Sequence, residues 1–240
     1  MAANLLRNPE SRLAGRVDTP SHCGQIEKMR IALIHALKHS IVPIEAAFAR
    51  LWPDATLMNL LDDSLSADVA RDGRLTSAMT DRFLILGRYA ASTHANAILF
   101  TCSAFGPCID AVAREQSPMP VLKPNEAMIE QAVARGHRIG LLSTFAPTLK
   151  SMPAEFPSSV QVVPKLAEGA LAALDRGDRA EHDRLVAQAS RDLRDCDLIA
   201  LAQYSMAPAA PLVAEAASLP VLTTPDSAVA KLKQLLAVSA

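Results

Sequence analysis

The sequence predicts an α/β fold built as two pseudo-symmetric domains, each a parallel sheet flanked by helices, with the active site in the cleft between them. Three observations predict it. Short uninterrupted apolar runs alternate with segments of helical period, the pattern of strands buried on both faces and the helices that cover them. The alternation is gone through twice. The second half also repeats the first, with matching segments 100 to 108 residues apart, a spacing too long for a solenoid and suited to a duplicated domain.

The repeat sets the element order. "RIALIHALKHS" at 30–40 is matched by "RIGLLSTFAPT" at 138–148. "WPDATLMNLLDDSL" at 52–65 faces "FPSSVQVVPKLAEGAL" at 156–171. "NAILFTCSAFGP" at 96–107 returns as "DLIALAQYSMAP" at 197–208, and "MPVLKPNEAMIEQA" at 119–132 as "LPVLTTPDSAVAKL" at 219–232. In the first half the apolar runs at 31–34, 56–60, 97–100 and 121–122 read as strands. Residues 77–91 carry Met79, Phe83, Leu84, Leu86 and Tyr89 at helical spacing. Residues 182–193 do the same with Leu185, Val186, Ala189 and Leu193. Pro107 and Pro208 fall in the first helical turn after their strands, where proline lacks nothing the helix needs. The expected division is a loose extension at 1–28, a first domain at 29–123 and a second at 124–224. A last helix at about 225–238 is expected to pack back on the first domain.

Composition excludes several classes. The chain has 240 residues, half of them hydrophobic, with a formal net charge of −1. That is enough to bury a sizeable core, and it leaves no electrostatic footprint for nucleic acid or an anionic membrane. No apolar run approaches the roughly 20 residues of a membrane span. The first 28 residues lack the apolar core of a signal peptide. Cys23, Cys102, Cys108 and Cys196 show no zinc-type spacing and are too few for a disulfide framework. They read as reduced thiols in a cytoplasmic protein with no metal.

In doubly wound sheets ligands sit beyond the carboxyl ends of the strands. The candidate residues are therefore those that follow each apolar run. They are rich in small hydroxyls and helix starts, whose free N–H groups attract carboxylates, so a small acidic substrate is expected. Cys102 is the catalytic candidate. A free thiol titrates near about 8.5, and a place ahead of a helix N-terminus is expected to lower that; a small buried hydrophobe is the bland alternative. Gln203, at the matching point of the second half, offers an amide N–H for a carboxylate or developing enolate. Ser40 and Thr148 are repeat-equivalent, with Thr101, Ser103, Thr144 and Ser205 beside the strand ends. As a set they suit carboxylate oxygens; singly each suits a helix cap. His35 is a candidate partner for the thiol, whereas His39 reads as a surface residue and Lys123 as solvated. Cys108 reads as packing, Cys196 as lying at the wrong strand end. Glu181–His182 reads as a solvated helix start, and Asp62–Asp63 as solvated or capping.

The duplicated halves, "TCSAFGP", "LAQYSMAP" and "RIGLLST" together resemble the aspartate/glutamate racemase superfamily, which also holds hydantoin racemases, maleate isomerases and arylmalonate decarboxylases. The resemblance spans about residues 29–238. It implies an enzyme without cofactor that moves a proton at the carbon next to a carboxylate, and it implies a homodimer as an assembly. Racemases of this kind set one cysteine in each half. Here the first position is Cys102 and the second is Gln203, which cannot exchange protons near neutral pH. One thiol suits the decarboxylases of the family, although theirs lies in the second half. The expected activity is racemase-like, with one catalytic cysteine. A decarboxylase, a cis-trans isomerase or a non-catalytic carboxylate-binding protein on the same scaffold are the alternatives.

Overall fold

The computed structural model describes residues 28–238. Cys23 and all but the last residue of the proposed N-terminal extension lie outside the described residues. The first half runs β1 (Arg30–His35), α1 (Ile41–Leu51), β2 (Thr56–Leu61), α2 (Ser64–Asp72), α3 (Ser77–Ser92), β3 (Ala97–Phe100), α4 (Gly106–Glu115) and β4 (Val121–Leu122). The second runs α5 (Glu126–Arg135), β5 (Arg138–Ser143), α6 (Ala146–Ser151), β6 (Gln161–Leu166), α7 (Ala170–Asp175), α8 (Arg179–Ser190), β7 (Leu198–Leu201), α9 (Ala210–Ala217), β8 (Val221–Thr223) and α10 (Thr224–Val238).

The strands form two four-stranded sheets, ordered β2-β1-β3-β4 and β6-β5-β7-β8, with every pairing parallel. The fold read from the repeat is the one observed, and the duplication holds to the register: Ile31 sits opposite Ala97 in one sheet as Ile139 sits opposite Leu198 in the other. The central strands are apolar throughout because both faces are covered. Ile31, Leu33, Ala97 and Leu99 face one cluster; Ala32, Ile34, Ile98 and Phe100 face another. This is the period-two alternation of a strand, with helices on both sides.

The same side-chain tether recurs at the strand starts. Asn96 Oδ1 accepts the N–H of Arg30 at 2.7 Å. Its repeat equivalent Asp197 accepts those of His137 and Arg138 at 2.7 and 2.8 Å. α10 follows the last strand of the second sheet but packs on the first: Ala228, Val229, Leu232 and Leu236 join Leu33, Ile44, Phe48 and Leu99 in one core cluster. Arg50 meets Asp226 at 2.9 Å across that contact.

Four local readings are corrected. His182 is fully buried rather than solvated, its Nδ1 2.6 Å from Asp183, because the helix face that carries Val186 also carries it inward. Asp62 is not solvated: it holds Ser64 at the start of α2, accepting its hydroxyl at 2.6 Å, and pairs with Arg82, which also holds Asp68 at 2.6 Å. Lys123 is not free in solvent but pairs with Asp110 at 3.1 Å. Pro208 lies inside a 3₁₀ segment, residues 204–209, that precedes α9.

Candidate active site

The two sheets each have a switch point, where β2 and β3 leave β1 in opposite directions and β6 and β7 leave β5 likewise. Loops diverge there and open a crevice at the carboxyl ends. The two crevices face each other and merge into one cavity of about 630 Å³, within the range of small-molecule sites. The first half contributes Ser40, Thr101, Cys102, Ser103 and the α2 residues Val69 and Ala70. The second half contributes Phe145, Pro147, Thr148, Gln203 and Ser205. Cys102 follows β3 and Gln203 follows β7, so the two central strands deliver a thiol and an amide to the same space.

Gln203 is held firmly. Its Oε1 accepts the Thr144 N–H at 2.7 Å, the Thr144 hydroxyl at 2.9 Å and the Ser143 hydroxyl at 3.0 Å. Three donors exhaust the oxygen as an acceptor, and the amide is left to present its N–H groups. Thr144 is thus one layer back: it orients Gln203 and does not line the cavity.

His35 also stands one layer back. It is fully buried behind Ser40 and Thr101, with Nδ1 2.8 Å from the Thr101 hydroxyl and 3.1 Å from that of Ser40. Nε2 lies 2.9 Å from Asn59 Oδ1, and Asn59 Nδ2 donates to Glu45 at 2.7 Å. Glu45 can only accept, so Asn59 must turn its oxygen to His35. That assigns the proton to Nε2 and leaves Nδ1 as an acceptor. Burial lowers the imidazole pKa against the Asn59 hydrogen bond and the Glu45 charge. The ring is neutral, and it fixes which way the cavity hydroxyls point.

Cys102 is half-buried between the cavity and the core cluster of Phe83, Phe100 and Phe105. Its thiol pKa is raised, not lowered: burial disfavours the thiolate, and the Ala104 N–H opposes this only in part. The expected effect of a helix start is missing because a 3₁₀ turn, residues 103–105, separates the sulfur from α4.

Sequence reasoning did not single out several lining residues. His39, read as a surface residue, is on the cavity wall with its ring 4.0 Å from Asp175 of the second half. Leu37 and Phe145 are both at the cavity with 47% and 46% exposure, and the 108-residue offset of the repeat would have paired them. Asn125 lines the wall after β4; its Nδ2 has no partner among the described residues. Cys108 and Cys196 are buried in cores away from the cavity. Among the described residues, no group of three or more His, Cys, Asp or Glu could hold a metal ion, and no helix is long and apolar enough to cross a membrane.

The sequence profile of Asp/Glu/hydantoin racemases matches residues 43–231, most of the chain and both halves of the cavity. The chain belongs to the Asp/Glu/hydantoin racemase family. It is therefore an enzyme of the racemase superfamily. Comparison with curated proteins yields no significant match. Solved structures of the same fold include a glutamate racemase from Bacillus anthracis, with TM-score 0.68 and 13% identity over 88% of this chain and 83% of that one. An allantoin racemase from Klebsiella pneumoniae has TM-score 0.67 and 18% identity over 88% and 89%. An arylmalonate decarboxylase has TM-score 0.62 and 18% identity over 86% and 92%. At these identities the likeness establishes the fold alone.

Proposed function

We propose that this racemase-family enzyme transfers a proton at the carbon alpha to the carboxylate of a small acid, without cofactor, using Cys102 as its one thiol acid/base. The observation that carries this is the pairing across one cavity of Cys102 with Gln203, a proton carrier from one half with a fixed amide donor from the other. Donors already aimed at the place where charge develops stabilise an enediolate without reorganisation. Gln203 N–H and the hydroxyls of Ser103, Thr148 and Ser205 are those donors, while the Thr101 and Ser40 hydroxyls are spent on His35 Nδ1 and the Leu37 carbonyl.

A thiol that burial keeps protonated is suited to giving a proton. The reading it supports best is protonation of an enediolate on one face, as in decarboxylation of a malonate. The bond to one carboxylate breaks, carbon dioxide leaves, and the electron pair stays on the alpha carbon as the enediolate. The Cys102 S–H proton passes to that carbon, and the thiolate regains a proton from solvent. Racemisation by the same cavity needs a second carrier, and Gln203 is not one.

The test is NMR in heavy water over amino acids, hydantoins, maleate and substituted malonates, with wild type and Cys102→Ala. Deuterium entering the alpha position, with or without carbon dioxide release, and lost in Cys102→Ala supports the proposal. No turnover of any panel member, or turnover that survives the substitution, overturns it and favours a carboxylate-binding protein.

A further inference from the structure

We propose, resting on the proton-transfer reading above, that His39 is the proton relay of this cavity: it takes a proton from solvent at the mouth and returns it to the Cys102 sulfur after each turnover.

A one-thiol reaction leaves Cys102 as a thiolate once its proton has gone to the alpha carbon. The next turnover waits until that proton is replaced. The sulfur is half-buried against Phe83, Phe100 and Phe105, a setting that disfavours the thiolate and makes it take a proton from any acid that reaches it. Among the described residues, three side chains that line the cavity can titrate: Cys102, His39 and Tyr204. Lys38, Arg74, Glu126 and Lys150 adjoin lining residues in sequence and do not line the cavity themselves. Tyr204 is turned away. Its ring joins the core cluster of Ile44, Phe48 and Leu232, and its hydroxyl is buried there. His39 remains, and histidine is the side chain that both takes and gives a proton near neutral pH.

The turns at the ends of β1 and β3 put His39 and Cys102 on one wall. The hydroxyl oxygens of Ser40, next to His39, and Thr101, next to Cys102, lie 2.9 Å apart. Ser40 also donates to the Leu37 carbonyl at 2.8 Å, which ties down the 3₁₀ turn Lys38–Ser40 that carries His39. The His39 side chain is 34% exposed, so one ring is open to solvent and lines the cavity too. A single water can carry a proton between two such groups, and a cavity of about 630 Å³ has room for it. The charged groups beside the ring are Lys38 on its own turn and Asp175 of α7, whose carboxylate stands 4.0 Å from Nε2. Asp175 is a counter-ion at hand while the ring carries the proton. The step balances. The imidazolium N–H proton passes to the thiolate, restoring S–H and leaving neutral imidazole, which takes a proton from solvent. Because both groups stand on the first-half wall, His39 serves the sulfur and not the opposite face of the substrate carbon.

His39→Ala is to be assayed beside wild type and Cys102→Ala on the same panel of acids, in weak buffer, by first-turnover and steady-state kinetics. Ser40 and the backbone hold the turn, so circular dichroism should be unchanged. Cys102 starts protonated, so His39→Ala should complete its first turnover at the wild-type rate and then slow. Its kcat should fall by about 10- to 100-fold, with kcat/KM within about twofold of wild type because recharging follows the chemistry. Imidazole added to the buffer should restore kcat in His39→Ala and leave wild type unchanged. A kcat within about twofold of wild type overturns the relay. So does a loss already present in the first turnover, or one that imidazole does not restore, as a structural role would give. The two readings fail separately. Cys102-dependent turnover that ignores His39 sinks the relay and keeps the chemistry. No turnover by wild type, or turnover that survives Cys102→Ala, sinks the chemistry and the relay with it.

Discussion

Thr144 gives both its backbone N–H and its hydroxyl to Oε1 of Gln203, at 2.7 and 2.9 Å. Together with Ser143 this forces the amide to face the cavity nitrogen-first. Gln203→Glu keeps an oxygen for all three donors, so the fold should be retained. It replaces the presented N–H with a carboxylate oxygen. A hydrogen bond to a charged group contributes about 1.5–3 kcal/mol, so carboxylate affinity should fall by about 10- to 100-fold, with thermal melting within a few degrees of wild type. Unchanged affinity by calorimetry would remove Gln203 from the binding site.

The direction of the Cys102 shift makes a kinetic prediction. Burial raises the thiol above its ordinary value of about 8.5, so at neutral pH the sulfur carries its proton. Alkylation by iodoacetamide should be slow at pH 7 and should accelerate only as pH rises past that value. If Cys102 donates its proton in the slow step, activity should hold at neutral pH and decline as pH rises through the raised pKa. A rate that climbs over the same range would mean that the thiolate acts as base, and would favour racemisation. Cys102→Ser should lower turnover by about 10²- to 10⁴-fold in either case.

The sheets were legible in the sequence because burial on both faces makes a strand read as one apolar run. Residues 97–100 were delimited as observed, and residues 56–60 fell one residue short of β2. The repeat carried the topology, since matching strands must occupy matching places. Which side chain at a strand end meets the cavity was not legible. His35 closes β1 and Thr101 follows β3, yet only the latter reaches the cavity. That depends on Asn59 and Glu45, 24 and 14 residues from their partners, drawing the ring inward. The Cys102 shift was read with the wrong sign for a similar reason. Helix proximity is visible in sequence, whereas desolvation by Phe83, Phe100 and Phe105 is a property of the assembled core.

His35 links this network to stability. Its folded pKa lies below the ordinary 6.5, so as pH falls the unfolded chain takes up a proton before the folded one does. The stability it contributes is fully present above about 6.5 and is lost as pH drops through the folded value. Melting temperature should fall as pH drops below about 6.5, before carboxylates such as Asp62, shifted down from 3.8, begin to titrate. His35→Gln should be less stable at pH 7.5 and should show a flatter dependence over that interval. Parallel curves for wild type and variant would place the dependence elsewhere.

A last prediction concerns the helices that carry the Cys102 side of the cavity. Gly87 in α3 faces Val112 in α4 so closely that a Cβ would lie 2.6 Å from Val112 Cγ1. Glycine inside a helix is ordinarily about 0.5–1 kcal/mol worse than alanine, so Gly87→Ala on an open face would stabilise. Here the added methyl meets a β-branched side chain with little freedom to turn, in a core where Val112 is fully buried. Overpacking of this kind costs about 1–3 kcal/mol, and it outweighs the gain in propensity. Gly87→Ala should therefore lower the urea midpoint. Gly87→Ala combined with Val112→Ala should recover more than the two single changes sum to, because one substitution vacates the volume the other fills. Additivity in that cycle, or a stabilised Gly87→Ala, would mean that α3 and α4 are not in contact at this point.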